Sequence, residues 1–227
     1  MPQHTDKNFA QDLHDLKEWI LKMGSLVEGM VARSIDALVK RDSNLARQVI
    51  DEDQEVDRLE MEIDNLCLKI LALHQPAAVD LRFVAVGMKI STDLERTGDL
   101  AVNICEQVLE LNKIEPLKPY IDLPVMAEKS QAMLRGALQS FIDRDPSRAK
   151  AICESDDEVD LLNIKIQKDL LDIMAQKPEG VERGVRLIVI ARQLERVADH
   201  ATNVAEEVTF LVKGEDMRHG AGEATSR

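Results

Sequence analysis

Leu94-Glu95-Arg96-Thr97-Gly98-Asp99-Leu100-Ala101-Val102-Asn103 returns one hundred residues later as Leu194-Glu195-Arg196-Val197-Ala198-Asp199-His200-Ala201-Thr202-Asn203. Of the 16 aligned positions in 93–108 and 193–208, 8 are identical. Each copy keeps an acid, a second acid four residues on, and an amide four further still. A second match, at an offset of 103, pairs Asp53-Gln54-Glu55-Val56-Asp57 with Asp156-Asp157-Glu158-Val159-Asp160. The chain is a duplication, and both copies retain the same polar stripe.

Working outward, apolar residues at Leu13, Leu16, Ile20, Met23, Val27, Met30 and Leu38 are separated mostly by three or four positions. That spacing predicts one long amphipathic helix over 8–40. Asp42-Ser43 ends it and can cap the next, because side-chain oxygens accept the orphan amide hydrogens of a helix start. The second helix runs to about Leu73, where His74-Gln75-Pro76 stops it; proline lacks an amide hydrogen and disfavours helix before itself. A third runs from about Ala78 to Asn112. Pro116, Pro119 and Pro124 mark the joint, and the pattern restarts. Arg144-Asp145-Pro146 repeats Arg41-Asp42-Ser43, with proline in its tolerated place in a first helical turn. The fifth helix should end near Gln176 and the sixth near Val212, closed by Gly214. The expected fold is all-α: two tandem antiparallel three-helix bundles, residues 1–115 and 116–213, joined end to end and followed by a polar tail at 214–227.

Composition narrows the function. The net charge is −13 with no basic block, which argues against phosphate-backbone contacts and so against nucleic acid. Aromatic residues make up only 3%, which suits helices better than sheets. Cys67, Cys105 and Cys153 sit far apart among apolar neighbours, as packed reduced thiols do. Arg186, Arg192 and Arg196 interrupt the longest apolar stretch. A cytoplasmic protein, with no signal peptide or membrane span, is expected.

Residues four apart share a helix face, so four acid pairs result: Asp53/Asp57, Glu95/Asp99, Asp156/Asp160 and Glu195/Asp199. Asn103 and Asn203 follow on the third and sixth helices. On a helical wheel the carboxylates lie at the rim of the apolar face, where Glu60 and Asp64 extend the row on the second helix. Converging carboxylates repel one another, and a multivalent cation removes that penalty. All-oxygen ligation suits Mg²⁺, Mn²⁺, Ca²⁺ or Fe³⁺ better than zinc. One such pair is usually a solvated surface; four at equivalent places in a duplicated chain favour metal. Around them, His200 reads as a surface or packing residue, Arg96 and Arg196 as partners of carboxylates across the bundle, and Arg82 as a pair or cap near its own helix start. The methionines, Met23, Met30, Met61 and Met88 among them, read as core fillers, and Trp19 as a packed anchor. No phosphate loop or nucleophile elbow is present, and neither Glu95 nor Glu195 opens the Glu-x-x-His of a di-iron enzyme. No catalytic residues are expected.

The duplicated motifs, in this order, resemble the PhoU family of bacterial phosphate-uptake regulators over about residues 8–219. The likeness is carried by Arg41 to Asp57, by Gln75-Pro76 with Asp80-Leu81-Arg82, and by Lys89 to Asn103. Gln193 to Val208 and the close from Phe210 to Asp216, with Arg218-His219, complete it. In place of the family's frequent Ile-Gly between the acids, the second copy has Val197-Ala198. The resemblance implies two three-helix bundles with multinuclear metal clusters on the four acid pairs, holding Fe³⁺, Mn²⁺ or Mg²⁺. It implies a cytoplasmic, often dimeric negative regulator of the phosphate-starvation response. Such a protein would connect the ATPase subunit of a phosphate ABC transporter with a PhoR-type sensor kinase, and meet the membrane only through those partners. Two rival readings are a metal-dependent phosphoesterase, for which a general base outside the ligand set is hard to identify, and a purely structural helical bundle.

Overall fold

Arg41-Asp42 and Arg144-Asp145 turn the chain in the same way at equivalent places. Arg41 (φ 56°) and Arg144 (φ 52°) both adopt the left-handed conformation. Asp42 and Asp145 then each accept the backbone amides two and three residues on, at 2.9–3.1 Å. The computed structural model describes residues 3–214, with side chains from residue 7. The expected tail beyond Gly214 therefore lies outside the described residues. Six helices follow: α1 (Gln3–Lys40), α2 (Ser43–His74), α3 (Ala78–Leu111), α4 (Asp122–Asp143), α5 (Pro146–Gln176) and α6 (Val181–Lys213). A single 3₁₀ turn at Pro178–Gly180, not anticipated, precedes α6. Gly214 (φ 74°) closes α6 in the left-handed conformation that glycine adopts without strain.

The two bundles do not meet end to end. They lie side by side, with α3 packed along α6 and α1 along α4. The partners fix the direction: Arg82 reaches Leu211, Lys89 reaches Glu207, Asp93 reaches His200, and Gln107 reaches Arg186. One number rises as the other falls, so α3 and α6 are antiparallel and a pseudo-twofold relates the repeats. The α1–α4 contact runs the same way, through Glu28 with Arg135 and Lys17 with the Ile142 carbonyl. At Gly24 an added Cβ would meet Leu138 Cδ1 at 2.4 Å, so a hydrogen there lets α1 approach α4 closely.

Burial shows which helices are central. α3 buries 15 of 34 residues and α6 buries 14 of 33, against 8 of 32 for α2 and 5 of 31 for α5. The central pair thus packs in several directions, while the outer helices bury one stripe. One hydrophobic cluster runs through both repeats, from Leu16 and Ile20 to Val208 and Leu211. Met23 and Met30 fill it as expected, and Trp19 packs against it. Cys67 and Cys105 are buried free thiols, pushed up to about 12 mainly by burial. Met61 is a correction: it is 59% exposed, because it lies beyond the buried stripe of α2 on the outer shoulder.

The arginine corners also tie elements together. The Arg41 guanidinium donates to the carbonyls of Asn112 and Ile114 just past α3, at 3.0 and 2.7 Å. The Arg144 guanidinium lies 5.5 Å above the Phe83 ring, which stacks on Phe141 across the repeats. Because the two capping aspartates are far apart and make the same bonds, Asp42→Ala and Asp145→Ala should each cost about 1 kcal/mol. Their effects should add in the double variant. Urea unfolding checks this; a double variant no worse than either single would contradict independent corners.

Candidate metal centres on the duplicated rim

The antiparallel pairing of α2 with α3 brings Asp53 opposite Asp99, and Asp57 and Glu60 opposite Glu95. Burying Val56 on α2 and Leu94 on α3 at 0% exposure leaves the acids no direction but the shared rim. Gly98 lets this pair close up: an added Cβ there would sit 3.3 Å from both Asp53 Oδ1 and Val56 Cγ1. Asp53 is pushed up to about 6, first by burial and then by the charges of Asp57 and Asp99. Glu95 is raised by burial and by Asp99, with Glu60 and Asp57 adding to it. Glu60 rises through burial and Asp64.

The second repeat builds the same thing from α5 and α6. Asp156 is pushed up to about 6 by burial, then by Asp160, Asp199, Asp157 and Glu195. Asp199 is raised by burial and Asp160. The Asp156 Oδ1 atom is buried without a hydrogen-bond partner. An orphaned carboxylate oxygen among four other acids asks for a cation. All eight acids singled out from the sequence thus fall on two facing sets, one per repeat.

Among the described residues, no three acidic, histidine or cysteine donors are drawn close enough to hold an ion in this arrangement. Closing either set around a cation takes rotation of carboxylate side chains that are only partly buried, such as Asp99, whose side chain is 46% exposed. The donors fit a hard cation in kind, being carboxylates throughout.

The arginines and asparagines depart from expectation. Arg96 contacts acids of its own helix, Glu95 at 3.4 Å and Asp99 at 3.6 Å, rather than reaching across the bundle. Arg82 caps the other repeat: its Nε donates to the Leu211 carbonyl at 3.1 Å. Asn203 turns away from the acids of α5 and donates to Asp93 Oδ1 of α3 at 3.3 Å. His200 Nδ1 lies 2.8 Å from the same oxygen. Asn103 has no counterpart bond, since Asp93 is replaced in the second repeat by Gln193, whose Oε1 is buried without a partner. Asp93, Lys89 and Glu207 were not singled out from the sequence. Together with Met88, Thr92, Asn203 and Glu206 they line a groove of about 450 Å³ between α3 and α6. Asp93 faces Gln193 in the repeat alignment, so the repeat itself gave no signal for it.

The architecture is that of a duplicated, all-helical tandem bundle protein, and comparison gives the family. The PhoU domain family matches residues 20–108 and 123–208. A Zymomonas mobilis phosphate-specific transport system accessory protein PhoU homologue is 39% identical over 214 residues, covering 94% of this chain and 90% of that one. The Pseudomonas aeruginosa homologue is 35% identical and covers 96% and 91%. The crystal structure of PhoU from Pseudomonas aeruginosa superposes with a TM-score of 0.87 at 35% identity, covering 91% of this chain and all of that chain. The structure of the phosphate transport system regulatory protein PhoU from Streptococcus pneumoniae gives 0.85 at 30% identity, covering 92% and 98%. The chain belongs to the PhoU family.

The facing acids have a measurable consequence. An aspartate with a folded value near 6, against 3.8 in its ordinary state, keeps its proton where the unfolded chain has lost it. Each therefore favours the fold below about pH 4 and loses that contribution as pH rises through 6. Asp53→Asn and Asp156→Asn should stabilise the chelator-treated chain at about pH 7.5 and leave it unchanged at about pH 4. Urea midpoints read this, and destabilisation at the higher pH would contradict the facing arrangement.

Proposed function

We propose that the chain is a cytoplasmic, metal-binding regulator of phosphate uptake that holds down the phosphate-starvation response when phosphate is plentiful. It acts as a homodimeric adaptor between the ATPase subunit of a phosphate ABC transporter and a sensor histidine kinase. Family membership supports the physiological half: its relatives are named as accessory or regulatory proteins of phosphate transport. No described helix is long and apolar enough to cross a membrane, so contact with a transporter would pass through protein surfaces.

The observation that carries the metal half is the repetition of the facing acids, with Asp156 Oδ1 left buried and unpartnered. Asp53, Asp57, Glu95 and Asp99 would hold ions in one repeat, and Asp156, Asp160, Glu195 and Asp199 in the other. Fe³⁺, Mn²⁺ or Mg²⁺ would supply positive charge there. Asn103 would join the first set, and Asn203 the second only by leaving Asp93. Bare carboxylates repel phosphate, so any direct contact with the anion would run through bound metal or an arginine such as Arg96.

Elemental analysis of purified protein tests the sites: Asp99→Ala/Asp199→Ala should lose most of the bound metal. Equal metal content in variant and parent would remove the rim as the site. For the physiological role, deleting the gene in its host should give constitutive alkaline phosphatase in phosphate-rich medium, and normal repression would refute the regulatory reading.

A further inference from the structure

The outer shoulders of α2 and α5 carry a feature that neither the core nor the acidic sets use. Met61 and Leu68 on α2 are 59% and 56% exposed; Ile164 and Leu171 on α5 are 63% and 57% exposed. These are equivalent residues at the same offset of 103 that relates Asp53 to Asp156. Leu161, 67% exposed, extends the second ridge. Exposed large apolar residues are unremarkable one at a time. Here both copies keep them at matching places, seven residues apart, which is the seam spacing of helix-on-helix packing. On the helical wheel each ridge lies roughly 60–80° further round than Asp53 or Asp156, on the side away from the core.

We propose that each ridge, with the acidic row beside it, is a docking strip for an amphipathic helix of another protein. The matching helix has an apolar stripe flanked by lysine or arginine. Charge decides the occupant. Residues 51–64 hold eight acids and one base, Arg58, and that guanidinium is taken by Glu55 and Glu62 of its own helix. Residues 152–171 hold six acids and two bases, Lys165, whose ammonium is taken by Asp122 of α4, and Lys168. A second copy laid on this face would bring the same acids against these, in a chain whose net charge is −13. A basic helix would find both apolar cover and compensating charge, the mode in which an amphipathic helix lies along a groove. Such docking needs no bound metal.

The test uses the full chain, treated with chelator, in about 0.15 M salt so that long-range attraction is screened. The probe is a fluorescent three-heptad peptide with leucine at the seam and lysine beside it. Binding is expected, and Met61→Gln/Leu68→Gln/Ile164→Gln/Leu171→Gln should weaken it about tenfold or more. Replacing the peptide's lysines by glutamate should abolish it. All four substituted side chains are exposed, so helicity and melting temperature should match the parent's. No binding, or equal binding by parent and variant, would overturn the proposal, the latter meaning general charge attraction. Sedimentation equilibrium of the chain alone supplies the second arm: a dimer that the four substitutions dissolve would assign the ridges to a second copy and overturn it too.

Discussion

Everything in this molecule depends on the antiparallel contact of α3 with α6. It joins the repeats about a pseudo-twofold, commits the most buried helices to the centre, and leaves α2 and α5 as outer walls. Once Leu94 and Leu194 point inward at 0% exposure, the acids one and five residues later must come out at the rim. There they meet the acids that follow the buried stripes of α2 and α5. Carboxylates are gathered because apolar residues are buried; no local attraction among them is needed.

That gathering has an electrostatic cost, visible in Asp53 and Asp156, both pushed up to about 6. Folding tolerates it because the hydrophobic gain from a core running through six helices is far larger than the repulsion of partly hydrated charges. A duplicated fold that keeps such repulsion in both copies is most simply understood if a cation relieves it. The ion pairs nearby do not fill that role. Arg96 and Arg58 contact acids of their own helices at exposed positions, where pairing contributes little.

The helices could be read from the sequence because their periods are long and their stops explicit. Asp42, Asp145, Pro76 and Gly214 act through backbone chemistry that does not depend on tertiary context. The repeat likewise exposed the facing acids. What escaped was set by contacts between repeats. Two similar halves point to end-to-end joining, yet the α3–α6 contact is invisible to periodicity, since both helices already read as amphipathic. Met61 lies off the stripe of Val56, Leu59, Ile63 and Ile70, so the wheel and not the residue type places it outside the core. Asp93 is invisible to the repeat because its partner there is Gln193. Its bonds to His200 and Asn203 have no counterpart in the other repeat, where Gln193 stands for Asp93 and Leu100 for His200.

We propose that cations lie between α2 and α3 and between α5 and α6, one set in each repeat. Crystals grown with Mn²⁺ and measured for anomalous scattering test it most directly. Peaks are expected between both helix pairs, within bonding distance of Asp53, Asp57, Glu95 and Asp99 and of Asp156, Asp160, Glu195 and Asp199. Peaks confined to other surfaces, or none at either set of acids, would overturn the assignment.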